Sequence, residues 1–280
     1  MRITRTENCA FLNSGLRKVW RKLVTRISAI ILTAALLTVA NVAGAETARY
    51  RLTVDNTWSE VTHPGLFPVA AHFSWVGGST HDGSTSFWSP GLETSPGMTM
   101  MAETGNTSIL IGEMDADLGV GSTMNWANWF CPTAGPVWPD CGDTVVEFEI
   151  DDTHSFVTIV TMIGPSPDWF VGTEGLPLRS GGDWITEVVV DLRPYDGGTR
   201  SDNVWALGGT LNTPPEPVHL ITAGTGQLVG PGSLGTFTFT YLEAMPGPDP
   251  IPSIGPGGLI ALTALLAALG GLTIRKRANG

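Results

Sequence analysis

Lysine is scarce in this chain of 280 residues, and its distribution is uneven. All three lysines lie in the two end segments, at positions 18, 22 and 276. Between residues 46 and 255, five arginines stand against 25 aspartates and glutamates, which gives a formal charge of −20. Such a surface repels phosphate backbones and therefore excludes nucleic acid as a partner. It suits multivalent cations or basic partners, and it is equally typical of a plainly solvated acidic surface.

Cysteine is just as rare, with three residues in the whole chain. Cys9 lies in the first segment, whereas Cys131 and Cys141 share a stretch that contains proline and glycine. Two cysteines without a second pair or neighbouring histidines make a poor zinc site. In an exported domain they predict a disulfide between Cys131 and Cys141, which would stabilise a loop by about 2–3 kcal/mol.

A sustained helical period is missing between the end segments, and only Met98 to Gly105 permits a helix. Alternating or continuous apolar runs instead predict short strands. These predicted strands are Ala48 to Val54, Thr107 to Ile111, Val145 to Ile150, Phe156 to Ile163, Ile185 to Leu192, Val218 to Thr222 and Gly235 to Leu242. The pattern predicts an all-β fold, an antiparallel β-sandwich. The segment from His63 to Gly97 is predicted as a long loop whose aromatic side chains fold back over the core.

Common catalytic motifs are also missing. No Gly-x-Ser-x-Gly turn exposes a nucleophile, so Ser79, His81 and Asp82 do not predict a hydrolase triad. His63, His72 and His81 recur every nine residues, which could suggest a zinc site. On long loops, such histidines more often cap turns or pack beside aromatic rings.

The two ends of the chain have the composition of targeting segments. Residues 1–45 combine a basic region, an apolar run and small residues, which predicts a secretory signal peptide cleaved after Ala45, with an uncleaved anchor as the alternative. Residues 246–256 form a linker rich in proline and glycine. Residues 257–274 carry no charge and predict a transmembrane or sorting helix, followed by a basic cytoplasmic tail at 275–280. The domain at residues 46–245 is therefore expected outside the membrane.

Carboxylates are concentrated around one proline-rich turn, Pro165 to Gly172, which contains Asp168. Upstream, Glu149 lies in a stretch that alternates acidic and apolar residues, and downstream Asp196 follows a strand-like run. If these strands pair, the three acids converge on one site. Calcium takes oxygen ligands, and converging carboxylates with carbonyls from proline-rich turns would provide that kind of shell. The alternative is that Asp168 caps its own turn and Glu149 faces solvent.

A set of motifs resembles the spondin N-terminal domain family, of the F-spondin and mindin type. They are Thr57-Trp58-Ser59, His63-Pro64-x-x-Phe67-Pro68, Thr80-His81, Phe87-Trp88, Ala102-Glu103-x-Gly105, Pro165 to Gly172 and Asp191-Leu192-x-Pro194-Tyr195-Asp196-x-Gly198-Thr199. The resemblance covers roughly residues 48–245. It implies a C2-like β-sandwich, one bound calcium ion and extracellular recognition rather than catalysis. It assigns the calcium ligands to Glu149, Asp168 and Asp196.

Two features stand apart from that resemblance. Arg200 occupies a position where vertebrate members of the family have an acid, which puts a shared receptor in doubt. The stretch Ile251-Pro252-Ser253-Ile254, with the apolar span and basic tail behind it, resembles the tripartite sorting signals of bacterial envelope proteins. It lacks the tryptophan that usually precedes such a span. The resemblance implies processing by a membrane sorting protease.

Together these features predict an exported, envelope-anchored, calcium-binding module for adhesion or extracellular recognition, without catalytic residues. Its partner would be an extracellular protein or a glycan. The alternative is an exported metal-dependent hydrolase, in which the same acidic cluster would hold a metal with an open position for water. Because no general base is recognisable near the cluster, binding is favoured over hydrolysis.

Overall fold

The computed structural model describes residues 45–63, 67–127, 131, 145–222 and 232–245, which contain twelve strands and two short helices. In chain order the elements are β1 (Thr47–Asn56), β2 (His72–His81), α1 (Pro96–Thr104), α2 (Ser108–Asp115), β3 (Val120–Trp126), β4 (Val145–Asp151), β5 (Phe156–Gly164), β6 (Trp169–Pro177), β7 (Arg179–Ser180), β8 (Asp183–Trp184), β9 (Glu187–Asp191), β10 (Tyr195–Asp196), β11 (His219–Leu220) and β12 (Gly235–Met245).

The strands form two antiparallel sheets that pack face to face. One sheet has four strands in the order β4-β1-β12-β9, and the other has six in the order β11-β10-β6-β5-β2-β3. The short pair β7-β8 forms a separate hairpin. This architecture confirms the predicted antiparallel β-sandwich, while the likeness to C2 domains stays a prediction.

Strand β1 shows why the sequence pattern leads to a sandwich. Tyr50, Leu52 and Val54 are buried, whereas the residues between them reach towards solvent. The strand lies between β4 and β12 and pairs with both of them antiparallel. Its apolar side chains therefore all enter one core. Trp58 and Phe237 are buried in the same core.

The six-stranded sheet is covered on both faces, which explains the unbroken apolar run of β5. Val157, Ile159 and Ile163 enter the sandwich core, whereas Val160 and Met162 pack with the helices. The helices contribute Met98, Met101, Ala102, Leu110 and Met114 to this second apolar cluster. A strand buried on both faces carries apolar residues continuously instead of in alternation.

Helix α1 has clear sequence signals at both ends. The Ser95 hydroxyl accepts a hydrogen bond of 3.1 Å from the Met98 amide, and Pro96 follows at the first helical position. Gly105 closes the helix with a φ of 73°, and its amide donates to the Met101 carbonyl at 2.8 Å. A left-handed residue at this position favours glycine. The stretch predicted to permit a helix is thus a helix.

One strand prediction and one loop prediction were wrong. The stretch Thr107 to Ile111 was predicted as a strand. In the structure Thr107 is the N-cap of helix α2, and the other four residues form its first turn. Its β-branched residues suggested a strand, but Leu110 and Met114, four positions apart, both bury on the helix face that meets α1. The segment from His63 to Gly97, predicted as a loop, contains the ten-residue strand β2.

Several predictions lie outside the described residues. These are nearly all of the predicted signal peptide, the linker at 246–256, the span at 257–274 and the tail at 275–280. In the part of the chain that is described, none of the helices has the length and apolarity needed to cross a membrane.

Candidate metal centre

Asp168 lies in the turn between β5 and β6 and is completely buried. Ser166 shapes this turn, because its hydroxyl accepts a hydrogen bond of 3.0 Å from the Trp169 amide. One carboxylate oxygen, Oδ2, accepts hydrogen bonds from the amides of Thr199 at 2.7 Å and Arg200 at 2.9 Å. The other oxygen, Oδ1, is buried and has no hydrogen-bond partner among the described residues.

Asp196 lies beside this turn on β10. It is opposite Trp169 in the pairing of β10 with β6. Its Oδ2 accepts a hydrogen bond of 3.1 Å from the Trp169 indole nitrogen, and its Oδ1 accepts one of 2.8 Å from the Gly198 amide. The Gly197 amide donates to the Asp168 carbonyl at 3.0 Å, which holds the two carboxylate-bearing segments together.

The surroundings of both carboxyl groups disfavour their ionisation. Burial, followed by repulsion from Asp196, raises the pKa of Asp168 to about 6, although hydrogen bonds from residues 199 and 200 oppose the shift. Burial also raises the pKa of Asp196, and the Gly198 amide partly offsets this. Protonation of Asp168 or a bound cation would relieve the repulsion from Asp196.

A third acid, Glu103 on α1, reaches the same region. Its Oε1 lies 2.8 Å from the Thr199 hydroxyl, which in turn lies 3.0 Å from Asp168 Oδ2. The hydroxyl has one proton and donates it to one of these acids at a time. The other carboxylate oxygen of Glu103 forms an ion pair with Arg200. Glu103 belongs to one of the family-like motifs, but sequence reasoning did not identify it as part of the site.

Glu149, the third predicted ligand, lies elsewhere. It is an exposed residue of β4, the edge strand of the four-stranded sheet, opposite Arg49 on β1. The structure thus brings Asp168 and Asp196 together and leaves Glu149 on the other sheet. Across the described ranges, no group of three or more His, Cys, Asp and Glu side chains could hold a metal ion.

The residues at the corner still fit a single cation. Asp168 Oδ1 is an acceptor without a donor, and a second carboxylate lies next to it. Calcium takes its ligands from carboxylates, carbonyls and water, so two carboxylates provide part of such a shell. The ion would join the β5–β6 turn to β10.

An aromatic cluster supports the corner from the core side. The ring centres of Trp169 and Trp205 are 4.8 Å apart, and those of Trp58 and Trp205 are 4.9 Å apart. The loop that carries Trp205 follows directly on residues 199 and 200. The position of this loop therefore depends on both the acidic corner and the core.

The other chemical candidates of the sequence form no site. His81 is buried, its Nε2 lies 3.0 Å from the Thr158 hydroxyl, and its Nδ1 accepts a hydrogen bond of 3.2 Å from Gly83. Burial lowers the pKa of His81 and so disfavours a charged ring. Cys131 is buried and disulfide-bonded, but its predicted partner Cys141 lies outside the described residues, so their pairing stays a prediction.

Comparison with known proteins agrees with the motifs. The sequence model of the Spondin_N family matches residues 48–227, which is more than half of the chain. Spondin-2 of Rattus norvegicus is 34% identical over 203 residues, which cover 71% of this chain and 59% of that protein. Spondin-2 of Homo sapiens is 30% identical over the same length. Spondin-1 of Rattus norvegicus is 34% identical over 180 residues, which cover 63% of this chain and 22% of that protein. The match therefore spans less than two thirds of each of these relatives.

Proposed function

The chain belongs to the spondin N-terminal domain family, and we propose that residues 46–245 form an extracellular recognition module that binds calcium between Asp168 and Asp196. Spondins are secreted adhesion proteins of the extracellular matrix, and their shared domain is generally a non-catalytic adhesion module. The proposed activity is therefore binding, with an extracellular protein or glycan as the partner.

The calcium proposal is carried by the buried oxygen of Asp168. Its Oδ1 lacks a hydrogen-bond donor although the side chain is completely buried. Leaving one oxygen of a buried carboxylate without a donor costs free energy, and Asp196 adds repulsion. A calcium ion would satisfy the free oxygen and neutralise both carboxylates. Because the two acids lie on separate segments, the ion would also hold those segments together.

The recognition surface lies next to this corner, on the loop that follows Arg200. Leu207 and Leu211 are 66% and 61% exposed, and Val204 is 41% exposed. Leu211 forms an isolated β-bridge with Arg200, whose amide binds Asp168. Exposed apolar side chains on a loop favour a protein partner. Calcium at the corner would fix this loop in its binding conformation.

The location proposed for this module is the outside of the cell envelope. Residues 1–45 would direct export, and residues 257–274 would anchor the chain until a sorting protease acts on it. Mass spectrometry of the envelope form should find a mature N-terminus at Glu46. Recovery of an intact Met1 on protein from the cytosol would contradict export.

Calcium binding is tested by thermal unfolding of the purified protein in chelator and in calcium concentrations that rise to about 100 times Kd. Calcium should stabilise the wild type by about 2.7 kcal/mol at 100 times Kd. Asp168→Asn should remove most of this gain, because the amide keeps the shape but loses the charge. Asp151→Asn is the control, since Asp151 caps its own turn after β4. Equal calcium-induced shifts in wild type and Asp168→Asn would rule the site out.

Glu149→Gln tests the third ligand that the family resemblance implies. If Asp168 and Asp196 form the site without Glu149, calcium affinity stays the same in this variant. A large loss of affinity would show that Glu149 reaches the ion in the calcium-bound protein.

Partner binding is tested by retention of the purified protein on washed cell envelopes, with calcium and with chelator. Retention should need calcium and should fall in a Leu207→Ser/Leu211→Ser double variant. Val189→Ser is the matched control, because Val189 is a 56% exposed apolar residue on β9. Equal retention of the double variant and the control would reject this loop as the binding surface.

A further inference from the structure

Arg200 places a fixed positive charge beside the acidic corner. Its main-chain amide donates to Asp168 Oδ2 at 2.9 Å. Its guanidinium forms an ion pair with Glu103 and donates through Nη1 to the Gly209 carbonyl at 2.9 Å. The arginine and glutamate side chains are only 20% and 13% exposed, so solvent screens this charge weakly.

The guanidinium is held as a cation by the acids around it. The hydrogen bond that the guanidinium donates to Glu103, and then the charges of Glu103, Asp168 and Asp202, raise its pKa above the ordinary arginine value. Its Nε is buried and finds no hydrogen-bond partner among the described residues. An arginine side chain stays protonated in proteins, so Arg200 is a permanent cation, and it cannot leave the corner without breaking its contacts with α1 and Gly209.

This arrangement affects a bound cation in two ways. The positive charge of Arg200 repels a divalent ion that approaches Asp168 and Asp196. The ion pair also engages the carboxylate of Glu103, which reaches this corner through the Thr199 hydroxyl. Both effects weaken binding of calcium relative to a corner with the same two aspartates and no arginine.

We propose that Arg200 sets the calcium affinity of the Asp168–Asp196 site, by opposing the ion and by holding Glu103 away from it. This inference rests on the calcium site proposed above. It makes the site a weak one, with Kd on the order of 1 mM, in the range of extracellular calcium modules. The recognition loop would then be ordered outside the cell, where calcium is abundant.

Calorimetric titration of calcium into the purified full-length protein tests this role. Arg200→Gln removes the charge and should tighten binding about tenfold. Arg200→Lys keeps the charge and should bind within about twofold of the wild type. Glu103→Gln leaves the arginine charge without its partner and should weaken binding. This third variant decides the question if Arg200→Gln fails to fold, because unchanged affinity in Glu103→Gln would overturn the proposal.

Arg179→Gln is the matched control for the loss of one positive charge. Arg179 pairs with Glu46 at 2.9 Å and follows the end of β6, whereas Asp168 precedes its start. The nine residues of β6 separate the two sites by about 30 Å, beyond the range of unscreened repulsion in salt. Calcium affinity should therefore not change in Arg179→Gln.

The possible results separate this inference from the calcium site itself. Equal affinity of wild type and Arg200→Gln would overturn the role of Arg200 and leave the site intact. Binding by Arg200→Gln alone would support the role of Arg200 and show that the natural chain does not use calcium. Absence of binding in both proteins would overturn both proposals.

Discussion

Trp169 and Asp196 are paired across β6 and β10, and the indole nitrogen donates a hydrogen bond of 3.1 Å to the carboxylate. The tryptophan is completely buried and packs on Trp205. Its ring thus belongs to the sandwich core, and its indole nitrogen belongs to the acidic corner. Removing that atom should disturb both.

We expect Trp169→Phe to lower the free energy of unfolding by about 2–4 kcal/mol, because it removes the donor to one oxygen of the half-buried Asp196 carboxylate and creates a small cavity. Trp184→Phe is the control, since the Trp184 indole donates at 2.9 Å to the exposed Glu46. That change should cost less than about 1 kcal/mol. Urea unfolding measures both values, and equal losses would contradict a special role for the buried bond.

The second prediction concerns pH in the absence of calcium. The folded protein holds the Asp168 proton to a pKa of about 6, above the ordinary value of about 3.8. Between these two pH values the folded state binds more protons than the unfolded chain, so the free energy of unfolding falls as pH rises. Over this whole pH range, the contribution of Asp168 to the free energy of unfolding falls by ~3 kcal/mol.

Urea unfolding in chelator at pH 4.5 and 7.5 measures this effect as a difference between wild type and Asp168→Asn. The wild type should lose more stability than the variant as pH rises. Saturating calcium should abolish the difference in slope, because the ion replaces the proton. A wild-type slope equal to that of Asp168→Asn would show that the carboxyl is not perturbed.

The strands with one buried face were predictable from sequence. β1 and β12 alternate buried and less buried residues, and both predictions fall within the observed strands. β2 was not predictable in this way, because its two faces are both buried and its centre is Gly77-Gly78. A Cβ on Gly77 would lie 2.8 Å from the Thr107 methyl group. Glycine indicates a loop in local sequence, but here it permits close packing that only the tertiary structure reveals.

The acidic corner was predictable only in part. Asp168 and Asp196 stand out because proline-rich turns surround them. The Glu103–Arg200 pair joins residues 97 positions apart, through a helix and a loop that no local pattern relates. Glu149 was assigned to the site by the family resemblance, and the alternation of acidic and apolar residues around it predicted a strand. The strand exists, but it belongs to the opposite sheet.

The third prediction concerns the disulfide of Cys131. Because this residue is buried and disulfide-bonded, peptide mapping without reductant should find it linked to the peptide that contains Cys141. Cys131→Ser should lower the free energy of unfolding by about 2–3 kcal/mol, measured by urea unfolding without reductant. In reductant, which breaks the disulfide of the wild type, the two proteins should have the same free energy of unfolding. A free thiol at Cys141 in the wild type would contradict the pairing.

The last prediction concerns the close contact between β2 and β5. A Cβ on Gly78 would lie 2.3 Å from the Thr158 carbonyl oxygen, a backbone atom that a side-chain rotation cannot move away. Gly78→Ala should therefore force the two central strands apart and lower the free energy of unfolding by about 2–4 kcal/mol. Gly112→Ala is the matched control on α2, because a Cβ there meets no atom within 4 Å. Alanine favours a helix over glycine, so this variant should be more stable by about 0.5–1 kcal/mol. Thermal and urea unfolding of both variants should give changes of opposite sign in the free energy of unfolding. An unchanged free energy in Gly78→Ala would show that the strands separate without cost.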